Sequence, residues 1–159
     1  MNRRLVVVRH AKSDRPDGVP DELRPLGGRG RRDAPAVGRW LREHVGAVDV
    51  VVCSPAVRAR QTWELAAPAL GGAPAPLVDP RVYEATAGEL LEVVHGLPDP
   101  ATTAVLVGHN PGLERLVAVL GGVAAAMRTS SIALLEWPGT WAGAAPGGIT
   151  LAAHATPRG

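Results

Sequence analysis

The side chains of this chain that could do chemistry stand where its apolar runs end. Leu5 to Val8 runs into Arg9-His10, Val48 to Cys53 into Ser54-Pro55 with Arg58 one turn further, and Thr103 to Val107 into Gly108-His109-Asn110. A weaker fourth element ends at Val82-Tyr83-Glu84. If the runs are strands of one open sheet, ligands bind beyond their carboxyl ends, and two arginines, two histidines and a carboxylate meet on one rim. Such a set does narrow chemistry. Two guanidiniums beside a helix N-terminus make a pocket for a phosphoryl dianion. A neutral imidazole, with an ordinary pKa near ~6.5, can attack phosphorus and carry the group covalently. A second, protonated imidazole would stabilise the equatorial oxygens of the loose transition state, and a carboxylic acid would protonate a poor leaving group. No metal and no cofactor is required. An Arg-His pair or a Gly-His-Asn turn alone means little; their convergence at equivalent positions is the signal.

The elements that must position these residues alternate in type. Leu5 to Val8 reads as a strand buried on both faces, and Arg31 to Val45 places Val37, Trp40, Leu41 and Val45 at helical spacing. Val48 to Cys53 is a second strand. Ser54-Pro55 then has the form of a helix start, Ser as N-cap and Pro at the first helical position, and that helix stops at Gly71-Gly72. Leu77-Val78 is a short strand, Ala87 to Val94 a helix, Thr103 to Val107 a strand and Pro111 to Leu120 a helix. Ile132 to Trp137 and Ile149 to Ala153 are two closing strands with no helix between them. The pattern predicts one domain over residues 1–159, an α/β three-layer sandwich. Its central sheet is mostly parallel with one antiparallel edge strand, and helices cover both faces. Ser13 to Gly30 is the longest irregular stretch, of a length more typical of a binding loop than of a plain connection.

Composition excludes other classes. Apolar residues make up 46% of the chain and charged residues 20%, which rules out disorder and coiled coil. The single cysteine, Cys53, excludes an internal disulfide and a multi-cysteine zinc cluster. No apolar stretch approaches the ~20 residues of a membrane span, so the expectation is a cytoplasmic monomer without membrane partners. Of 17 basic residues all but Lys12 are arginine. Arg29, Arg31 and Arg32 are diluted by Asp21, Glu22 and Asp33, and one Tyr with no Phe leaves few stacking platforms, so nucleic acid is not the expected partner.

The same residues carry a family resemblance. Val7-Val8-Arg9-His10-Ala11-Lys12-Ser13 resembles the signature of the histidine phosphatase superfamily in its SixA-like phosphohistidine phosphatase branch. Ser54 to Thr62, with Arg58, is similar to the family's second motif, and Val107-Gly108-His109-Asn110-Pro111-Gly112-Leu113-Glu114 to its third. Leu26 to Ala34 resembles the loop into the family's first helix. The likeness spans residues 5 to about 137. It implies His10 as nucleophile, with Arg9, Arg58 and His109 around the phosphoryl group. Asn110 aligns with a motif residue that touches substrate, and Glu84 falls near the proton donor of larger members, an acid not all SixA-like members have. It further implies a metal-independent phosphatase acting on phosphohistidine in a protein. The chain lacks long capping insertions, so the implied pocket is shallow and open.

Two other functions remain at this stage: a phosphomonoesterase for a small sugar or glycerol phosphate, and a phosphate-binding adaptor without catalysis. Cys53 and Arg58 suggest a cysteine phosphatase loop, but their spacing is one residue short, and Cys53 inside a strand reads as a buried apolar residue. Gly27-Gly28-Arg29-Gly30 has no strand before it and no phosphate-loop lysine after it. Trp40, Trp63, Trp137 and Trp141 read as packing residues, and His44, His95 and His154 as surface or capping residues.

Overall fold

Every residue from Val50 to Cys53 and from Thr103 to Gly108 is buried, as is Leu5 to Val8, so these runs must be covered on both faces. The computed structural model, which describes residues 1–159, shows how. Strands β1 (Asn2–Arg9), β2 (Val50–Cys53), β3 (Leu77–Val78), β4 (Thr103–Gly108), β5 (Ile132–Pro138) and β6 (Thr150–Ala155) form one sheet in the order β3-β2-β4-β1-β5-β6. Helices α1 (Gly28–His44) and α2 (Val57–Leu70) cover one face, and α3 (Ala87–His95) and α4 (Gly112–Gly121) the other. Alternation along β1 divides the core: Leu5 and Val7 face α3 and α4, whereas Val6 and Val8 face α1 and α2. This is the α/β three-layer sandwich expected. The one strand running against the others is β5, antiparallel to both β1 and β6, so the reversal sits one place in from the edge. No helix is long and apolar enough to cross a membrane.

The register matters most for function. Strand β4 lies between β1 and β2 and parallel to both, pairing Arg9 with Gly108 and Cys53 with Val107. The three residues that follow, His10, His109 and Ser54, are therefore delivered to one end of the sheet. The fourth strand end expected at Val82 is instead a 3-10 turn, Pro80–Val82, opened by the Asp79 carboxylate accepting from the Arg81 N–H.

The helix start expected at Ser54-Pro55 is also displaced. Helix α2 begins at Val57, with Ala56 at its N-cap and no side-chain cap. Ser54 Oγ accepts the Ala56 N–H, but it is drawn toward His109 and away from the helix. Cys53 is fully buried, and burial pushes its thiol up to about 12, which fits an inert packing residue. Trp141, in its Gly- and Ala-rich loop, is fully buried too and donates to the Ala101 carbonyl.

Helix α2, which carries Arg58, packs on α1 through small residues. A Cβ on Gly38 would collide with the Ala66 carbonyl oxygen of α2, so only glycine allows this approach. Gly38→Ala is expected to lower the stability of the fold by about 1–3 kcal/mol by forcing the helices apart. Urea unfolding reads this directly, and an unshifted midpoint would show that the helices are not held at this distance.

Candidate active site

Each functional side chain is fixed by its backbone before it meets its neighbours. The N–H of His10 donates to the Gly108 carbonyl, and the Ser130 N–H lies between the carbonyls of Arg9 and His10. The next residue, Ala11, donates its N–H to Thr62 Oγ1 at 2.9 Å, and that hydroxyl donates to the Arg58 carbonyl at 2.7 Å. One buried threonine thus ties the turn after His10 to the first turn of α2. The rings of His10 and His109 stand 5.1 Å apart.

The imidazole of His10 is 6% exposed and its Nδ1 lies 2.7 Å from the Ala11 carbonyl. A carbonyl only accepts, so Nδ1 carries the proton and Nε2 keeps its lone pair. Burial is the main cause that lowers the His10 pKa to about 3, with His109, Arg58 and Arg9 adding to it against the Ala11 hydrogen bond. Burial and then Arg58 lower His109 to about 4. Its Nε2 lies 2.7 Å from Ser54 Oγ. Both rings are neutral at neutral pH, and His10 has the tautomer a nucleophile needs.

Around them, three buried nitrogens have no hydrogen-bond partner within the chain: Arg9 Nε, Arg58 Nε and His109 Nδ1. Both outer nitrogens of Arg58 and one of Arg9 are occupied. Arg9 Nη1 donates to the Met127 carbonyl, while Arg58 donates to the Asp21 carbonyl at 2.7 Å and to its carboxylate at 3.1 Å. Arg9, Arg58 and His109 line one cleft with His10, so groups suited to a small oxyanion lie beside an imidazole nitrogen that keeps its lone pair.

Asp21 is a residue that sequence reasoning did not assign to the site. It sits at the tip of the Ser13 to Gly30 segment, whose base is pinned by a bridge between Ser13 and Leu26 and by the Gly27 N–H donating to the Lys12 carbonyl. Its carboxylate accepts from the Tyr83 hydroxyl at 2.6 Å, from Arg24 at 2.7 Å and from Arg58. These bonds, Tyr83 first, hold it well below the usual carboxylate range. The pocket is consequently less bare than expected, because this segment forms one wall. The cleft is about 200 Å³ and lined by ten polar residues, including the cations Arg9, Lys12, Arg15, Arg24 and Arg58. No sequence signal marks Asp21 as Arg58's partner, since 37 residues separate them. Ser54 was visible but read as a helix cap.

Two expected residues sit at the margin. Asn110 lines the cleft, yet its amide donates to the Met127 carbonyl at 2.6 Å and its oxygen accepts the Glu114 N–H, so it braces the same carbonyl that holds Arg9. Glu84, in a left-handed conformation with φ of 55°, lines an adjoining cleft of about 310 Å³ that shares His109 and Asn110 with the first. His95 and His154 donate to the carbonyls of Ala144 and Ala126 elsewhere, and His44 stacks on Trp40.

Residues 5–97 match the profile of the histidine phosphatase superfamily, branch 1. An uncharacterized protein of Mycobacterium tuberculosis is 42% identical over 162 residues, 95% of this chain and 100% of the relative. Among solved structures, one from Nakamurella multipartitia, named as a candidate phosphohistidine phosphatase SixA, is 33% identical with a TM-score of 0.85, covering 99% of this chain and 97% of that one. The protein histidine phosphatase SixA complexed with tungstate shares the fold at 23% identity and a TM-score of 0.84, with 97% of each chain covered.

Two measurements check this geometry. In an NMR titration the imidazoles of His10 and His109 are expected to stay neutral through pH 6.5 and to protonate only toward about 3 and 4. Their contribution to stability is thus complete above 6.5 and is lost as the pH falls toward those values; a midpoint near 6.5 for either ring overturns the account. The Asp21 hydrogen bond raises the Tyr83 phenol to about 12, and Tyr83 is the chain's one tyrosine. Phenolate absorbance should accordingly show a midpoint that drops toward 10 in Asp21→Asn.

Proposed function

The chain belongs to the histidine phosphatase superfamily, and we propose that it is a phosphatase that takes phosphoryl groups from histidine side chains of proteins through a covalent phosphohistidine at His10. The observation that carries this reading is one cleft lined by Arg9, Arg58 and His109, each with a buried nitrogen left without a partner, together with His10 and its free Nε2. A transferring phosphoryl group spreads its charge over three equatorial oxygens, and pre-aimed donors in a dry site stabilise such charge without reorganising.

In the first step Nε2 of His10 attacks phosphorus, the bond from phosphorus to the leaving nitrogen breaks, and the departing imidazole takes a proton from solvent. In the second, water attacks the phosphorus on His10, the nitrogen–phosphorus bond breaks with its electron pair returning to Nε2, and inorganic phosphate leaves. The negative phosphoryl group draws a proton onto His109 while bound, since its charge opposes the desolvation that keeps the free ring neutral.

Phosphohistidine suits this site better than an ester does. Transfer from one imidazole to another is nearly balanced, so no strong acid is required. An alkoxide is a poor leaving group and needs one, and Glu84 stands in the neighbouring cleft instead of the one at His10. Likeness in fold to a protein histidine phosphatase supports the same choice.

Acid-labile labelling from a phosphorylated protein is the test. Wild type should incorporate label and His10→Ala none; undiminished turnover in that variant would falsify the covalent mechanism, and a silent wild type would point to a binding adaptor. Turnover should survive a chelator. Glu84→Gln should leave phosphohistidine turnover unchanged, because Glu84 lies outside the cleft that holds His10. Loss on every substrate would favour the small-ester reading.

A further inference from the structure

The cleft at His10 holds more positive charge than one phosphoryl group needs. No carboxylate lines it, and five of its ten lining residues are cations. Arg24 and Arg58 share the Asp21 carboxylate, and Arg9 is held by the Met127 carbonyl. The five cations less Asp21 and Glu114, whose charge acts on Arg9, leave three positive charges, one more than a phosphoryl dianion carries. Lys12 and Arg15 carry this excess: both line the cleft, both are exposed, and neither takes part in an ion pair.

Their position gives the excess a direction. Lys12 is two residues beyond the nucleophile, with its backbone carbonyl fixed by the Gly27 N–H. Arg15 follows the bridge between Ser13 and Leu26. Both long side chains therefore stand on the loop wall, at the rim and not at the floor, where they meet the face of whatever covers the cleft. The volume agrees, because a water-sized group takes about 30 Å³ and three phosphoryl oxygens about 90 Å³, less than half of the 200 Å³ present. A concave wall of one charge sign also focuses its field toward the opening.

We propose that the substrate presents a second anionic group next to the phosphoryl group, an acidic side chain flanking the phosphohistidine, and that Lys12 and Arg15 receive it. This rests on the phosphatase reading above. Lys12 and Arg15 are then specificity-determining residues, acting on which phosphorylated surface is chosen and not on the chemical step.

The experiment compares two phosphohistidine peptides that differ only in having glutamate or glutamine beside the phosphorylated residue. Wild type should prefer the glutamate peptide by roughly three- to tenfold in kcat/KM, carried by KM, as exposed charge pairs would give. The preference should vanish in the Lys12→Gln, Arg15→Gln double variant and fade in wild type at high salt. It is a ratio of two substrates on one enzyme, so any loss of folded protein cancels. Equal use of both peptides by wild type, or a preference that survives the double variant, overturns the subsite and leaves the phosphatase reading standing. Failure to use either peptide while small esters are hydrolysed overturns the phosphohistidine reading and this proposal with it. A parallel pair, phosphoglycolate and glycerol phosphate, separates the sources. A Lys12- and Arg15-dependent preference seen only for the carboxylate-bearing ester assigns the second anion to a small molecule and overturns the acidic side chain.

Discussion

Leaving a buried polar nitrogen without a partner costs roughly 1–3 kcal/mol, and this fold leaves three, on Arg9, Arg58 and His109, all residues of the cleft that holds His10. Much of the nearby structure can be understood as what keeps them in place. The guanidiniums of Arg9 and Arg58 would relieve the cost by turning their inner nitrogens toward any available oxygen. Bonds to outer nitrogens oppose this turn, one from Arg9 to Met127 and two from Arg58 to Asp21. The Met127 carbonyl is itself steadied by Asn110, and the Met127 N–H by the Glu114 carboxylate at 2.7 Å. Farther out, Arg158 donates to the Ser130 hydroxyl and to the Thr129 carbonyl, which backs the segment resting on Arg9 and His10. The cost at the centre is met by bonds that lie outside it.

Desolvation has a second effect on the same groups. In water an imidazole divides its time between two charge states near neutrality, and neither tautomer of the neutral form is fixed. Burial removes the charged state here, and the Ala11 carbonyl selects the tautomer. The free lone pair of His10 is in this sense a property of the packing of β1 and β4, which excludes water, more than of the residue type alone. The neighbouring cations act in the same direction, since each makes a further positive charge less favourable.

The sheet was legible in the sequence because parallel strands buried on both faces are apolar without interruption, and Leu5 to Val8 and Thr103 to Val107 could be read as little else. Their ends were legible for the same reason: the first polar residue after such a run marks where burial stops. Arg9, His10 and His109 stand at or just past such ends, and Arg58 lies one turn into the helix that follows another. Ser54 was misassigned because Ser-Pro before a helical pattern satisfies a local rule, and the pull of His109 on its hydroxyl comes from a residue 55 positions away. Asp21 was missed because one acidic residue in a polar loop has no periodicity to give it away. Glu84 was placed near the site through a strand that proved to be a turn, which sends it to the next cleft. Local patterns report elements and their ends; they do not report which loop reaches back to which side chain.

Ser54 has a consequence for how the molecule would look at work. A hydroxyl can donate to a neutral ring nitrogen or accept from a protonated one, and its hydrogen rotates freely between the two. With the Ala56 N–H anchoring its oxygen, Ser54 can serve either charge state of His109 by spinning one hydrogen while every heavier atom stays still. The heavy atoms of Ser54 and His109 would then look the same in X-ray maps in either charge state of the ring. The difference between the two states would be visible to neutrons, which see hydrogen.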